Sequence, residues 1–447
     1  MRLVPFYAPI PAATSDPSLT SPWAFWALGL LNNASYVLLI ACGKSISEGG
    51  TGLIFLSNSL PSLLVKLSAP YWFDRVSYRA RMMVAAVLMS IAFMFVATFS
   101  SSHHSNFSVA MQLIGCAFAS VQCGLGEASL LALAGKCDGG RTKKACLTAF
   151  SSGTGIAGIF GFLWKFVWND ALGLSLSSTL YLANILAVLY GGVYYKYLWA
   201  INVGTAAPIH NGDDSADEQS IVKSNEELVP VQEETADRDY QDFLSSDESS
   251  GQQIDSTNCA RTEHMTTKQR LRAVLALWPY MIPLYVVYLA EYALQAGTWT
   301  AIGFPVEDED ARARFYEYSN WMYQAGVFFS RSSGTLFTAP LSILWLMPGL
   351  QIINVAFFWW VAKYQVFYNF YLLIPAFYVG LLGGAVYING YTRICSDIPL
   401  EHREFALSST SAAEGLGTVS ADIVGLFLQS CLYEIHHIEG AVVSCPF

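Results

Sequence analysis

The sequence predicts an all-helical, polytopic membrane protein built as two bundles of membrane-crossing helices. Three observations lead there. Of its 447 residues 53% are hydrophobic and only 13% charged, about half the charge of an ordinary soluble domain. Apolar runs of about twenty residues, the length that crosses a bilayer as a helix, recur along the chain. One long polar stretch, residues 204–266, divides them into an earlier and a later set.

Residues 1–22 contain Pro5, Pro9, Pro11, Pro17 and Pro22 and read as a loose tail without a clean signal peptide. Six spans follow, at about 23–43, 51–73, 81–100, 109–135, 145–168 and 174–203, and form the first bundle, 23–203. From 211 to 257 the chain is acidic, with almost no apolar periodicity, so 204–266 is expected to be a disordered linker. The second bundle, 267–447, holds five spans at about 274–298, 320–337, 340–361, 367–391 and 405–432, with the charged stretch 307–317 expected to be a solvated loop.

Basic residues mark cytosolic loops. Arg75, Arg79 and Arg81 follow span 2, and Lys136, Arg141, Lys143 and Lys144 follow span 4, whereas the loops after spans 1, 3 and 5 carry little beyond Lys44. The N-terminus and the linker are therefore assigned to the cytosol, and an odd span count sends the C-terminus to the other side. Asn106-Phe107-Ser108 is a glycosylation triplet in a loop assigned to the non-cytosolic face; Asn33-Ala34-Ser35 also matches but lies within span 1. Much of the net charge of −10 sits in the linker and says little about partners. Nine cysteines show no CxxC pair; Cys431 and Cys445 are placed to bridge near the C-terminus. No metal site or cofactor is indicated, no metalloprotease, nucleophile-elbow or phosphate-loop signature occurs, and no basic patch interleaved with aromatics points to nucleic acid. The chain does not read as an enzyme, and the missing phosphate loop argues against an ATP-driven pump.

Five charges interrupt the apolar spans: Lys66, Glu127, Glu291, Arg331 and Glu414. Each costs about 2.5–3.5 kcal/mol at mid-bilayer, so such residues face a bundle interior or an aqueous path and mark function. Spacing groups them. Thr410, Glu414, Thr418 and Asp422 recur every four residues and share one helical face, as do Glu291 with Gln295 and Gln324 with Arg331. The run Ser151-Ser152-Gly153-Thr154-Gly155, with Gly158 and Gly161, reads as a close-packing seam or hinge. Two structural readings stand beside transport. Glu127 and Arg331 can form an ion pair without a ligand. Lys66, about 12 Å along its helix from Asp74, can snorkel to the cytosolic face.

Two helix sets joined by a cytosolic linker resemble the major facilitator transporters, whose halves rock about a midplane site. Asp74-Arg75, then Arg79 and Arg81, resemble that superfamily's D-R-x-G-R-R loop without its glycine, and are expected to latch helix ends by salt bridges.

A closer resemblance rests on several blocks: Leu31-Asn32-Asn33-Ala34-Ser35-Tyr36-Val37, Gly124-Leu125-Gly126-Glu127, Ser151 to Gly155, Ala290-Glu291-Tyr292, Tyr323-Gln324-Ala325-Gly326-Val327-Phe328 followed by Ser330-Arg331-Ser332-Ser333, Gly380 to Ala385, and Glu401-His402-Arg403-Glu404-Phe405-Ala406. From span 1 to span 11 the chain resembles the battenin family of lysosomal and vacuolar membrane proteins. That resemblance implies a lysosomal or vacuolar transporter, linked in the family to clearance of glycerophosphodiesters, to organelle pH and to basic amino-acid levels. It implies a small-molecule substrate, a phosphodiester anion being favoured, in a membrane-lipid setting. Arg331, Lys66, Glu291, Gln295, Tyr323, Gln324, Asn32 and Asn33 are expected at the substrate, and Glu127, Glu291 and Glu414 in proton coupling or ion pairing. The alternatives are a basic amino-acid carrier, and a non-transporting scaffold acting through its linker, where Tyr240-Gln241-Asp242-Phe243 resembles a sorting signal. Some family members end in a prenylation box; here Cys445 is followed only by Pro446 and Phe447.

Overall fold

The computed structural model describes residues 22–42, 51–100, 106–137, 140–199, 266–441 and 443–446. The N-terminal tail, most of the linker and Tyr240–Phe243 therefore lie outside the described residues, as do the side chains of Asp74 and Asn106. Within the described residues the regular structure is entirely helical.

The helices of the first half are α1 (Pro22–Ala41), α2 (Thr51–Trp72), α3 (Tyr78–Ser100), α4 (Asn106–Gly135) and α5 (Gly140–Lys165), followed by a sixth segment broken into α6 (Leu176–Leu182) and α7 (Asn184–Val193). α8 (Thr267–Ala276), α9 (Trp278–Ala296), α10 (Glu309–Ser332), α11 (Leu341–Tyr364), α12 (Leu373–Asp397) and α13 (Leu400–Ile435) make the second half.

Local chemistry sets several ends. Thr266 and Gln269 form a reciprocal capping box that starts α8. Pro279 sits in the first turn of α9, where its missing N–H costs nothing, and α8 meets the helix that follows at 66°. Asp308 caps α10 by accepting from the Asp310 N–H, and Glu309 and Asp310 lie in its first turn, where negative charge is favoured. The stretch 307–317, expected from its charge to be a loop, is instead mostly the first turns of a helix. Its polar residues defeat a hydropathy window, while Ala311 and Phe315 face inward and are buried. At the other end α10 stops at Ser332, before Gly334 and short of the expected 337.

Eight helices among the described residues are long and apolar enough to cross a membrane, or nine if the bent α8–α9 pair is one span. That is fewer than the eleven expected. α10, with its charged start, lies beyond the count because polar residues dilute it.

The packing reveals an internal repeat that the amino-acid pattern does not. α1 packs on α5 and α2 on α4; in the second half α9 packs on α13 and α10 on α12. The halves meet along two seams, α2 against α13 and α5 against α10, which exchange under the same correspondence. Close approach on α1–α5 is reciprocal. A Cβ on Gly29 would collide with the Phe150 carbonyl, and one on Gly153 with the Trp26 carbonyl, so small residues let the backbones touch.

Candidate functional site

Four of the five charges, Lys66, Glu127, Glu414 and Arg331, converge on these seams. Lys66, from α2, places its ammonium 2.7 Å from Glu127 Oε2 on α4 and 2.8 Å from Glu414 Oε1 on α13. All three side chains are at most 8% exposed. The four-residue stripe on α13 thus faces protein, as its spacing predicts. Glu414 meets Lys66, and Asp422 Oδ2 accepts from Ser59 of α2 at 2.8 Å. Thr418 turns to its own helix and donates to the Glu414 carbonyl.

Arg331 occupies the other seam. It leaves α10 with Nη1 donating to Thr154 Oγ1 on α5 at 2.6 Å and Nη2 donating to the Tyr288 hydroxyl on α9 at 2.8 Å. Its Cδ packs beside Gly155, and its guanidinium carbon lies 4.0 Å from the centre of the Tyr387 ring, well within cation–π range. Nε is buried without a hydrogen-bond partner, and among the described residues no carboxylate lies within salt-bridge distance. Tyr387 joins the two centres, because its hydroxyl donates to Glu127 Oε1 at 2.9 Å. Glu127 is therefore the partner of Lys66 and Tyr387, not of Arg331, and Lys66 is held inward between two glutamates instead of snorkelling.

The other expected residues separate into groups. Glu291 is buried against the backbone of Gly383, with Tyr323 facing it and Oε2 unpartnered. Gln295 donates to the Glu291 carbonyl. Gln324 shares the α10 face of Arg331 and packs on Gly158 of α5. It lines a small crevice with Phe162, Asn320 and Trp321. Asn32 is elsewhere. Its side chain bonds to the Cys123 carbonyl, Gln122 and Tyr190, and to its neighbour Asn33. These contacts knit α1 to α4 and α7 within the first half.

The residues expected to form a latch lie in different settings. Arg81 Nη2 reaches Glu404 Oε1 on α13 at 3.3 Å, and Glu404 Oε2 pairs with Lys136. Lys143 adds a hydrogen bond of 2.8 Å to the Cys395 carbonyl across the halves. Arg79 instead donates to the Trp199 carbonyl and lies over its ring, and Arg75 is exposed.

Tyr288, Tyr387 and Thr154 escaped the sequence reading as site residues. Thr154 carried a signal, lying in a run of small polar residues. The two tyrosines carried none, since an aromatic ring in a membrane helix looks like packing.

Residues 23–435 match the family described as CLN3 protein. The chain belongs to that family. Its relatives include Protein btn-1 of Neurospora crassa, 30% identical over 93% of this chain and 89% of that one, Protein BTN1 of Saccharomyces cerevisiae, 29% over 92% and 95%, and battenin of Canis lupus familiaris, 28% over 91% and 90%. Among solved structures, the major facilitator proton:xylose symporter XylE aligns with a TM-score of 0.57 at 13% identity, over 94% of this chain and 90% of that one. The human organic anion transporter MFSD10 aligns with 0.55 at 12%, over 94% and 96%. At such identity the likeness establishes the fold alone: this CLN3-family chain is a multi-pass membrane protein with the major facilitator architecture.

Proposed function

We propose that this chain is a transporter of the lysosomal or vacuolar membrane that exports glycerophosphodiesters from the lumen, coupled to protons and so influencing organelle pH. The observation that carries this reading is Arg331, a buried guanidinium at the α5–α10 seam whose donors meet only neutral hydroxyls. Burying a cation without a paired carboxylate is costly, and a planar donor fork suits a pair of phosphodiester oxygens. Lys66 is a poorer anion ligand than its charge suggests, because two glutamates already neutralise it. It ties α2 and α4 to α13. Proton uptake at Glu414 or Glu127 would loosen that tie, which is how coupling would act. Glu291, buried with an unpartnered oxygen, is the remaining carboxylate for a proton.

In this reading α2 and α10 also cross the membrane, giving eleven spans, with the N-terminus and linker cytosolic. Cys431 and Cys445, the bonded pair among the described cysteines, then fall on the lumenal side, where disulfides persist, as does Asn106 for glycosylation. Sorting adaptors would meet Tyr240–Phe243 in the cytosol.

Glu291 also favours a second reading, a basic amino-acid carrier in which carboxylates hold the substrate cation and Arg331 its carboxylate. Uptake of radiolabelled glycerophosphocholine and arginine into one preparation of vesicles bearing the purified protein separates the two. Glycerophosphocholine should accumulate, and Glu291→Gln should weaken its dependence on an imposed pH gradient. Movement of arginine alone establishes the second reading. Movement of neither, with trafficking proteins captured by the linker, establishes the scaffold.

A further inference from the structure

At the end of the molecule where α2 and α4 finish and α3 and α13 begin, a cavity of about 390 Å³ opens to solvent, within the usual size range of small-ligand sites. Arg79, Arg81, Lys136 and Glu404 line it together with Phe73, Val76, Ser77 and Tyr78. Among the described residues three cations thus face one carboxylate. Arg81 is only 2% exposed, and its Nε is buried with no hydrogen-bond partner. Its guanidinium is fixed between the rings of Phe73 and Tyr78, with centroids 4.3 and 4.1 Å away, and Nη1 is anchored at 3.3 Å to Ser129. Such a group is already ordered for a ligand, so little side-chain freedom would be lost on binding. The Lys136 side chain is 44% exposed at the mouth.

We propose that this cavity is a binding site for a phosphate ester, and that the ligand competes with Glu404 for Arg81 and Lys136. Glu404 belongs to α13 of the second half, whereas both cations belong to the first. A bound phosphate replaces the carboxylate on the cations and frees α13 from α3 and α4. The site is separate from Arg331, and its occupancy regulates the latch between the halves. Two kinds of molecule carry the same chemistry to this place: a phosphorylated lipid headgroup at the bilayer surface, where basic clusters attract anionic lipid, and a soluble phosphate ester.

Equilibrium binding to the purified full-length protein tests this. One arm uses nanodiscs of phosphatidylcholine with and without phosphatidylinositol 4-phosphate. The other uses soluble inositol 1,4-bisphosphate added to phosphatidylcholine nanodiscs. Saturable binding is expected in at least one arm; the lipid arm alone identifies a headgroup, and binding in the soluble arm identifies a free ester. Arg81→Gln and Lys136→Gln should each weaken binding about tenfold or more. Glu404→Gln should tighten it, because the competing charge is gone while the side chain's shape is kept. Lys165→Gln, beside Asp170 in another ion pair, should bind as the parent does. Should Arg81→Gln unfold, the opposite signs expected of Lys136→Gln and Glu404→Gln still decide. Absence of saturable binding in both arms overturns the proposal, as does binding that Lys136→Gln leaves unchanged or Glu404→Gln weakens.

Discussion

Lys66 is the residue on which most of the buried charge depends. Removing it leaves Glu127 and Glu414 side by side in the protein interior without their cation. Breaking a buried pair in this way costs about 3–5 kcal/mol, so Lys66→Met should lower the thermal unfolding midpoint of the purified protein markedly. Glu414→Gln should cost far less, since Lys66 keeps Glu127. Equal stability of Lys66→Met and the parent would show that the glutamates find protons or water instead. Tyr387→Phe removes the hydroxyl donated to Glu127 and keeps the ring beneath Arg331. A hydrogen bond to a charged group is worth about 1.5–3 kcal/mol, and the same unfolding measurement should register a loss of that order. The charges were legible in the sequence because a lysine or glutamate stands out in an apolar run. Their partners were not, because a tyrosine hydroxyl or a threonine is cheap in a membrane helix and its neighbour is set by tertiary packing.

At the scale of the element, the run Ser151 to Gly155 shows how one short segment serves two surfaces. Gly153 admits the backbone of α1, while Thr154 and Gly155, next along the same helix, meet Arg331. Gly153→Leu should therefore separate α1 from α5 and yield protein that elutes aggregated in size-exclusion chromatography, whereas a monodisperse peak at parental yield would contradict the close approach. The helix count shows where sequence reading stops. Apolar runs located the long helices to within a few residues. α10 began earlier than expected because an amphipathic helix with an acidic first turn has the composition of a loop. The repeat relating the halves was invisible because it lies in which helices pair, and many different apolar sequences satisfy the same pairing.

Across the whole molecule, the ion pairs and hydrogen bonds between the halves occur at three levels. Arg81 and Lys136 hold Glu404 at one end; Lys66 with Glu414, and Arg331 with Thr154, hold the middle; Ser59 and Asp422 bond farther along α2 and α13. Such an arrangement suits halves that rock, because contacts at one end can part while the others persist. The orientation makes its own prediction. Protease added outside intact organelles should cut the linker, with Asn106 and the Cys431–Cys445 bridge protected inside; a protected linker would invert every assignment of sides. The role proposed for Arg331, buried at the seam, is to bind the transported anion. It is tested most directly by glycerophosphocholine uptake into vesicles containing the parent, Arg331→Lys or Arg331→Ala at matched folded amounts. Lysine, which keeps the charge without the planar fork, should reduce uptake about tenfold or more, a loss of about 1.4 kcal/mol or greater, and alanine should abolish it. Uptake by Arg331→Ala at the parental rate would contradict it.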